Sequence, residues 1–293
     1  MRTDIQRIRA FNRTVAQRLG MLNERFLGRD RPYAESRVLF EIGARGATVR
    51  ELRARLDLDS GFLSRLLRGL ERQGLAETRP SAQDRRVRCV RLSRAGRAEL
   101  RRLDDLSDRF AQTLVAGLTP PQAERLVAAM DDVERLLRAA SVELVTVDPR
   151  SAEAQLCLGR YFDELDARFR GGFDRGKGGT ADLDEYVAPR GVMVLARLSG
   201  APIGCGALRK FAPGIGEIKR MWIAPQARGL GLGRRMLTEL ERLARQRKLH
   251  RVRLDTNGSL DEALALYRSS QYREIARFND NPYAQHWFEK TLR

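Results

Sequence analysis

The feature that most constrains this chain is a change of hydrophobic period near residue 141. Before it, apolar residues recur at helical spacing, as at Ile5, Ile8, Val15, Leu19 and Leu22. From Val142-Glu-Leu-Val-Thr-Val147 onward the period falls to two, and strands then mix with helices to the end. A chain of 293 residues, at about 150 residues per domain, is therefore read as two differently built domains, 1–140 and 141–293. The junction holds no run of Gly, Pro or Ser, which points to docked rather than loosely tethered domains. There is no internal repeat. No stretch reaches the roughly 18 apolar residues of a membrane-spanning helix, so no membrane association is expected. Met1-Arg2-Thr3-Asp4 opens directly on charge, so no signal peptide is expected either. Cys89, Cys157 and Cys205 lie far apart and form no CxxC pair, and the histidines are only His250 and His286. That excludes a disulfide scaffold, makes a metal site unexpected, and suits a reducing cytoplasm.

The formal net charge is +17. Residues 1–140 carry 29 basic and 19 acidic side chains, a net +10, and the remainder is +7. Such an excess favours a polyanion: nucleic acid, acidic membrane or a phosphorylated ligand. Fifty of the 55 basic residues are Arg, which suits phosphate forks but equally follows from genomic base composition.

Within 1–140, Thr48 with Glu51 three residues later forms a capping box that starts a short helix. The helix breaks at Asp57-Leu-Asp-Ser60. Ser60 is expected to cap the next one, which runs from Phe62 to Gln73 and ends at Gly74. Strands are expected at 75–78 and 87–92, with a charged turn between them. Ser93 starts a long helix to about Leu118, and Thr119-Pro120-Pro121 starts another that ends near Ala140. Helix, turn, helix and a two-stranded ribbon with a basic tip make a winged helix-turn-helix, whose second helix is sized for the major groove. Ser60, Ser64, Arg65 and Arg68 would face outward, with Leu63, Leu66, Leu67 and Leu70 inward. Arg85, Arg86 and Arg88 at the ribbon tip suit phosphates or a narrow minor groove.

Asp84-x-Arg86 followed by Leu92-Ser93 and Gly96 resembles the wing signature DxR(x5)L[ST]xxG of the MarR transcriptional regulators, and the helix order matches over residues 1–140. The resemblance implies a mainly-α DNA-binding domain that forms a homodimer through its first and last two helices. It also implies binding to double-stranded DNA at a pseudo-palindromic operator. Asp84 would brace the wing and Arg86 would reach the minor groove.

In the second domain the strongest chemical signal is Arg228-Gly229-Leu230-Gly231-Leu232-Gly233-Arg234, between a strand at 216–223 and a helix. Glycines let the backbone approach a ligand closely, and a helix N-terminus offers free N–H groups to an anion. A dinucleotide-binding GxGxxG counted from Gly229 fails because Arg234 stands at its third glycine. A phosphate loop at Gly171-x4-Gly176-Lys177 fails because Gly178 replaces the hydroxyl residue. The glycine-rich stretch 171–179 reads instead as a mobile surface loop.

Arg228-x-x-Gly231-x-Gly233 is similar to the [QR]xxGx[GA] coenzyme loop of the GNAT N-acetyltransferases. Ala263-Leu-Ala-Leu-Tyr267-Arg-Ser-Ser-Gln271-Tyr272 is similar to that family's AxxLYxxxGF segment, with Gln271 in place of Gly, a change expected to be tolerated in a turn. The resemblance covers about 142–293. It implies an α+β fold around a mixed, mostly antiparallel sheet, and acetyl-CoA as donor. Met221, Trp222, Ile223, Arg228, Gly229, Gly231, Gly233, Arg234, Asn257 and Tyr267 would contact the coenzyme. An amine attacks the thioester directly, its proton must be accepted, and the leaving thiolate must be protonated. Tyr267 is the implied general acid and Glu217 the implied base, acting directly or through water. Cys205 reads as small-residue strand packing, and His286-Trp287-Phe288 as a final core strand. The acceptor, a small-molecule or protein amine, is open. Asp163, Glu164, Asp166, Asp174, Asp182, Asp184 and Glu185 either attract it or are exposed helix charge. The combined expectation is a DNA-binding regulator fused to an acetyltransferase. The alternative is a repressor whose second domain senses acetyl-CoA or an amine without turnover.

Overall fold

Residues 2–21, 23, 25–176 and 183–292 are described in the computed structural model. Leu22, Asp182 and the 177–179 part of the glycine-rich stretch lie outside the described residues. The chain divides into two units, Met1–Met130 and Asp131–Arg293.

The first unit begins with α1 (Arg2–Arg18) and α2 (Tyr33–Ile42), then β1 (Ala47–Thr48) and α3 (Val49–Leu56). Thr48 caps α3 as its spacing predicts: its hydroxyl accepts from the Glu51 N–H, and the Glu51 carboxylate accepts from the Thr48 N–H. α4 (Ser60–Arg72) corrects the expected cap. Its N-cap is Asp59, whose carboxylate accepts from the Phe62 N–H at 2.9 Å, and Ser60 is the first helical residue. Both residue types cap well. The turn closes one residue earlier because Asp57 takes a left-handed φ of 50°. β2 (Ala76–Pro80) and β3 (Arg88–Leu92) form the wing, and β1 adds to β3 to complete a three-stranded antiparallel sheet. Leu39, Leu52, Leu63, Leu70, Val90 and Leu103 are fully buried between helices and sheet. α5 (Arg94–Val115) follows Ser93, and α6 (Pro120–Ala140) crosses from one unit to the other.

In the second unit, β4 (Glu143–Val147), α7 (Ala152–Arg168), β5 (Gly191–Leu198), β6 (Ala201–Ala212) and β7 (Ile215–Ile223) come first. α8 (Leu232–Gln246), β8 (Arg251–Thr256), α9 (Asp261–Ser269), β9 (Arg273–Glu274) and β10 (His286–Thr291) follow. The seven strands run in the order β4-β5-β6-β7-β8-β10-β9. All neighbours are antiparallel except β7 and β8. α7 and α8 pack on β6 and β7. Met236, Leu237, Leu240 and Ala244 give α8 its buried face, as the sequence spacing predicts. Cys205 is fully buried in β6. Of the expected core triplet at the chain end only Phe288 is buried. His286 instead pairs with Glu274, and the Trp287 indole donates to Asn279.

Candidate functional site

The site begins where two strands part. β7 and β8 pair only over Ile215–Glu217 with Arg251–Arg253. Beyond Glu217 they diverge, and β7 carries a bulge at that point. Cys205 pairs with Trp222 and Ala207 with Lys219, so Arg220 and Met221 both face Gly206. Arg220 adopts φ 59° to make the bulge. A Cβ on Gly206 would stand 2.9 Å from Leu240, 3.0 Å from Met236 and 3.1 Å from Met221, so a larger residue there would push these side chains aside.

Two cavities occupy the opening. One, about 440 Å³, is lined by Met221–Ile223, the glycine turn and the start of α8. The other, about 320 Å³, is lined by Lys219, Arg220, Asp255, Asn257 and the 279–283 loop. Tyr161, Met221 and Tyr267 line both, so the two spaces meet at these side chains.

The first cavity has the chemistry of a diphosphate cradle. Gly229 and Gly231 take φ 77° and 70°, and a Cβ at either would meet nothing within 4 Å, so the turn presents bare backbone to open space. Gly231 is the N-cap of the 15-residue α8 and supplies no side-chain cap, leaving the first-turn N–H groups and the positive helix end facing outward. Gly233 packs close, since a Cβ there would be 3.2 Å from Leu266. The guanidinium of Arg234 ties this helix start to the end of α9 through Ser269 and Ser270. Arg228 donates to both oxygens of Glu164 at 2.6 Å and to the Ile223 carbonyl, and the Trp222 indole donates to the same carboxylate at 2.8 Å. Burial works to raise the Glu164 carboxyl, but these donors outweigh it and hold it below the usual range.

Tyr267 projects from α9 and is buried, its ring 6.0 Å from Tyr272 and 5.9 Å from Phe288. Its hydroxyl has no hydrogen-bond partner among the described residues. Burial, reinforced by Tyr161 and Asp255, pushes this phenol well above the ordinary tyrosine value, so it stays protonated at neutral pH. Asn257 lines the second cavity while its amide is engaged at both ends, donating to the Tyr283 carbonyl and accepting from the Ser259 N–H.

Glu217 is fully buried and lines neither cavity. It accepts from Arg209 Nε at 2.6 Å and Asn279 at 3.0 Å, and pairs with Lys219 Nζ at 2.9 Å. Lys219 also pairs with Asp255, which accepts from Asn279 and Asn281. Burial alone would raise the Asp255 carboxyl and lower the Lys219 ammonium. Their mutual attraction reverses both, keeping Asp255 low and Lys219 high. Lys219, Asp255, Asn279 and Asn281 were missed in the sequence. The available signal was charge at period two: Glu217 with Lys219, and Arg253 with Asp255, each on one face of a core strand. The acidic stretch of α7 and its following loop does not reach the second cavity as a cluster. Glu164 serves Arg228, Asp163 pairs with Arg175, Asp166 accepts from the Phe173 N–H, and Glu185 pairs with Arg209.

In the first unit, Ser60, Arg65 and Arg68 lie exposed along α4, and Ser64 is half-buried. Arg65 stacks 5.5 Å over Phe62. Asp84, Arg85, Arg86 and Arg88 are exposed at the wing, where the Asp84 carboxylate accepts from the Arg86 N–H at 2.9 Å and fixes the turn.

Residues 160–272 match the model of the acetyltransferase (GNAT) family, and residues 29–87 that of the MarR family. The chain is 32% identical over 130 residues to the IAA acetyltransferase of Azospirillum brasilense, spanning 44% of this chain and 85% of that one. It is similar to the solved structure of a Klebsiella pneumoniae protein assigned as an acyl-CoA N-acyltransferase. The identity is 32%, the coverage 52% of this chain and 99% of that one, and the TM-score 0.43. A mutant of MarR from E. coli is 27% identical, covering 43% of this chain and 94% of that one, with a TM-score of 0.39.

Proposed function

The chain belongs to the GNAT acetyltransferase family and carries a MarR-family segment ahead of the enzyme domain, and on that premise we propose a regulator that binds DNA and transfers acetyl from acetyl-CoA to an amine. The observation that carries the transferase reading is the meeting of two cavities at Tyr267: one suits a diphosphate and a pantetheine arm, the other an acceptor. The N–H groups of residues 231–234 and the helix end hold the diphosphate. The β7 backbone beyond Glu217, released from its β8 ladder, bonds the pantetheine amides around Met221–Ile223. Asn257 lines the second cavity and holds the Tyr283 loop there. The coenzyme supplies an activated acetyl carbonyl.

The acceptor nitrogen enters from the second cavity and attacks that carbonyl. Tyr267, kept protonated by burial, donates its proton to the departing sulfur. Asp255, the buried carboxylate that lines the acceptor cavity, takes the proton shed by the new nitrogen–carbon bond. Glu217 stands behind Lys219 and positions it, so its influence on the reaction passes through that ammonium. In the first unit, Arg65 and Arg68 with Ser60 and Ser64 address the major groove, while Arg85, Arg86 and Arg88 address the flanking backbone and minor groove. The partner is an operator with two half-sites, read by a homodimer.

The test is acetyl-CoA turnover over an amine panel, with coenzyme binding followed by calorimetry. Tyr267→Phe is expected to lower kcat by 10²–10³ while coenzyme affinity holds. No heat with acetyl-CoA, alongside clear binding of a nicotinamide dinucleotide or ATP, would remove the transferase reading. Coenzyme binding that altered DNA affinity without any turnover would favour a sensor.

A further inference from the structure

The acceptor cavity has a lining of two kinds. One is charged: Arg209, Lys219 and Arg220, with Asp255 among them. Another part of the lining is made of three rings: Phe169 just past α7, Phe173, and Tyr283 from the loop before β10. Their centroids are 5.8 Å (Phe169–Phe173), 5.7 Å (Phe169–Tyr283) and 4.8 Å (Phe173–Tyr283) apart. All three are only half-buried among the described residues. A cluster of part-exposed aromatic faces in a concave site is costly to leave against water and suits an apolar or aromatic guest.

The rings are also held in place by bonds that spend their polar handles. The Phe173 N–H donates to Asp166, the Tyr283 hydroxyl accepts from the Asp174 N–H at 2.8 Å, and Asn257 donates to the Tyr283 carbonyl at 2.7 Å. This part of the lining therefore offers ring faces and edges, a geometry suited to offset or edge-on stacking with another ring. The charged part of the lining has no unshared carboxylate for a second positive charge on the acceptor. Asp255 is the buried carboxylate there, already shared with Lys219 and two asparagines, and Asp280 at the rim is fully exposed and paired with Arg277. Arg209 is paired with Glu185 and Glu217, and Lys219 with Glu217 and Asp255, so the second cation of a polyamine would find every carboxylate beside them already engaged. An acceptor with one amine and a flat apolar body meets no such conflict. At about 320 Å³ the cavity suits a small molecule of that kind.

Building on the transferase reading above, we infer that the acceptor is a small aryl-alkyl amine, its ring stacked on Phe169, Phe173 and Tyr283 and its nitrogen directed toward Tyr267 and Asp255.

The experiment compares 2-phenylethylamine, tryptamine, n-hexylamine, spermidine and a lysine-containing peptide as acceptors for the full chain. Calorimetry with acetyl-CoA alone is run on every variant. The expected result is a kcat/KM at least tenfold higher for the aryl amines than for hexylamine, with spermidine and the peptide poorer still. Phe169→Leu and Phe173→Leu keep apolar volume and remove a ring, and each should pull the aryl-to-hexyl ratio toward one, mostly through KM. Equal or better use of hexylamine, spermidine or the peptide overturns the acceptor class and leaves the transferase reading standing. Coenzyme binding with no amine in the panel acetylated overturns the acceptor class and turns the reading of the second domain toward a sensor. Absence of coenzyme heat in the unaltered chain overturns the underlying reading and this inference with it.

Discussion

Gly96 shows how a signature residue becomes a physical requirement. The Ser93 hydroxyl donates to the Gly74 carbonyl and accepts from the Gly96 N–H, locking the start of α5 onto the chain that leaves α4. That lock brings the helix so near that a Cβ on Gly96 would sit 1.9 Å from the Leu75 carbonyl oxygen. Backbone cannot yield as a side-chain tip can, so Gly96→Ala is expected to destabilise the first unit by at least about 3 kcal/mol. Chemical denaturation followed by circular dichroism reads this directly, and a loss under 1 kcal/mol would contradict it. Gln271 is the converse case. It sits at φ 66°, a left-handed conformation that glycine takes without penalty. Its place in a turn after α9 makes it tolerable without making it free. Gln271→Gly should raise stability by about 0.5–1 kcal/mol, net of the extra chain entropy glycine carries when unfolded. A melting temperature that stays put or falls would show that the turn has relaxed around glutamine.

At the scale of elements, the parting of β7 from β8 makes the site, and charge is concentrated there. Asp255 has its pKa depressed in the folded state, so the stability it lends is present at neutral pH and is lost as pH falls below about 4. Lys219 has its pKa raised, so its contribution is complete below about pH 10 and fades only above that. Asp255→Asn should therefore flatten the acid limb of the stability–pH curve. It should also cost about 1–3 kcal/mol at pH 7, because the buried Lys219 loses one of its two carboxylates and keeps Glu217. If the acid limb were as steep in the variant, the carboxyl would not be the group that titrates. The glycine turn before α8 was legible in the sequence because a glycine string between a strand and an amphipathic helix is a local pattern. So were α8, the wing and the Thr48 capping box. The acceptor cavity was less so, because Asn279, Asn281 and Tyr283 belong to a loop without period, brought to β8 by tertiary folding alone. Glu217 was visible as a strand carboxylate. Its burial beneath Arg209 and Lys219 depends on the register of three strands, which one strand's residues do not reveal. The capping error at Ser60 arose from two good capping residues in succession, decided by the left-handed turn at Asp57.

For the whole molecule, the uncovered apolar faces of α1 and α6 bear on the proposed DNA binding. Ile5, Ile8 and Phe11 recur along one side of α1, and Val127, Met130 and Leu137 along one side of α6, each about half exposed or more. Faces of this kind on two long helices call for a covering partner; in the proposed homodimer a second copy supplies it and doubles the recognition helices. One copy offers a single α4 and a single wing, and two copies engage twice as many phosphates. Since log K falls with log salt by about 0.9 for each phosphate neutralised, the dimer's slope should be about twice that of one copy alone. Val127→Asp combined with Met130→Asp places two charges in the α6 face without touching Arg65, Arg68 or the wing. The pair is expected to yield a monomer by analytical ultracentrifugation, with operator affinity reduced at least a hundredfold and a salt slope near half that of the unaltered chain in fluorescence anisotropy. A monomeric variant that kept the full slope would mean that one copy makes all the phosphate contacts, and the two-half-site reading would fall even if DNA binding survived.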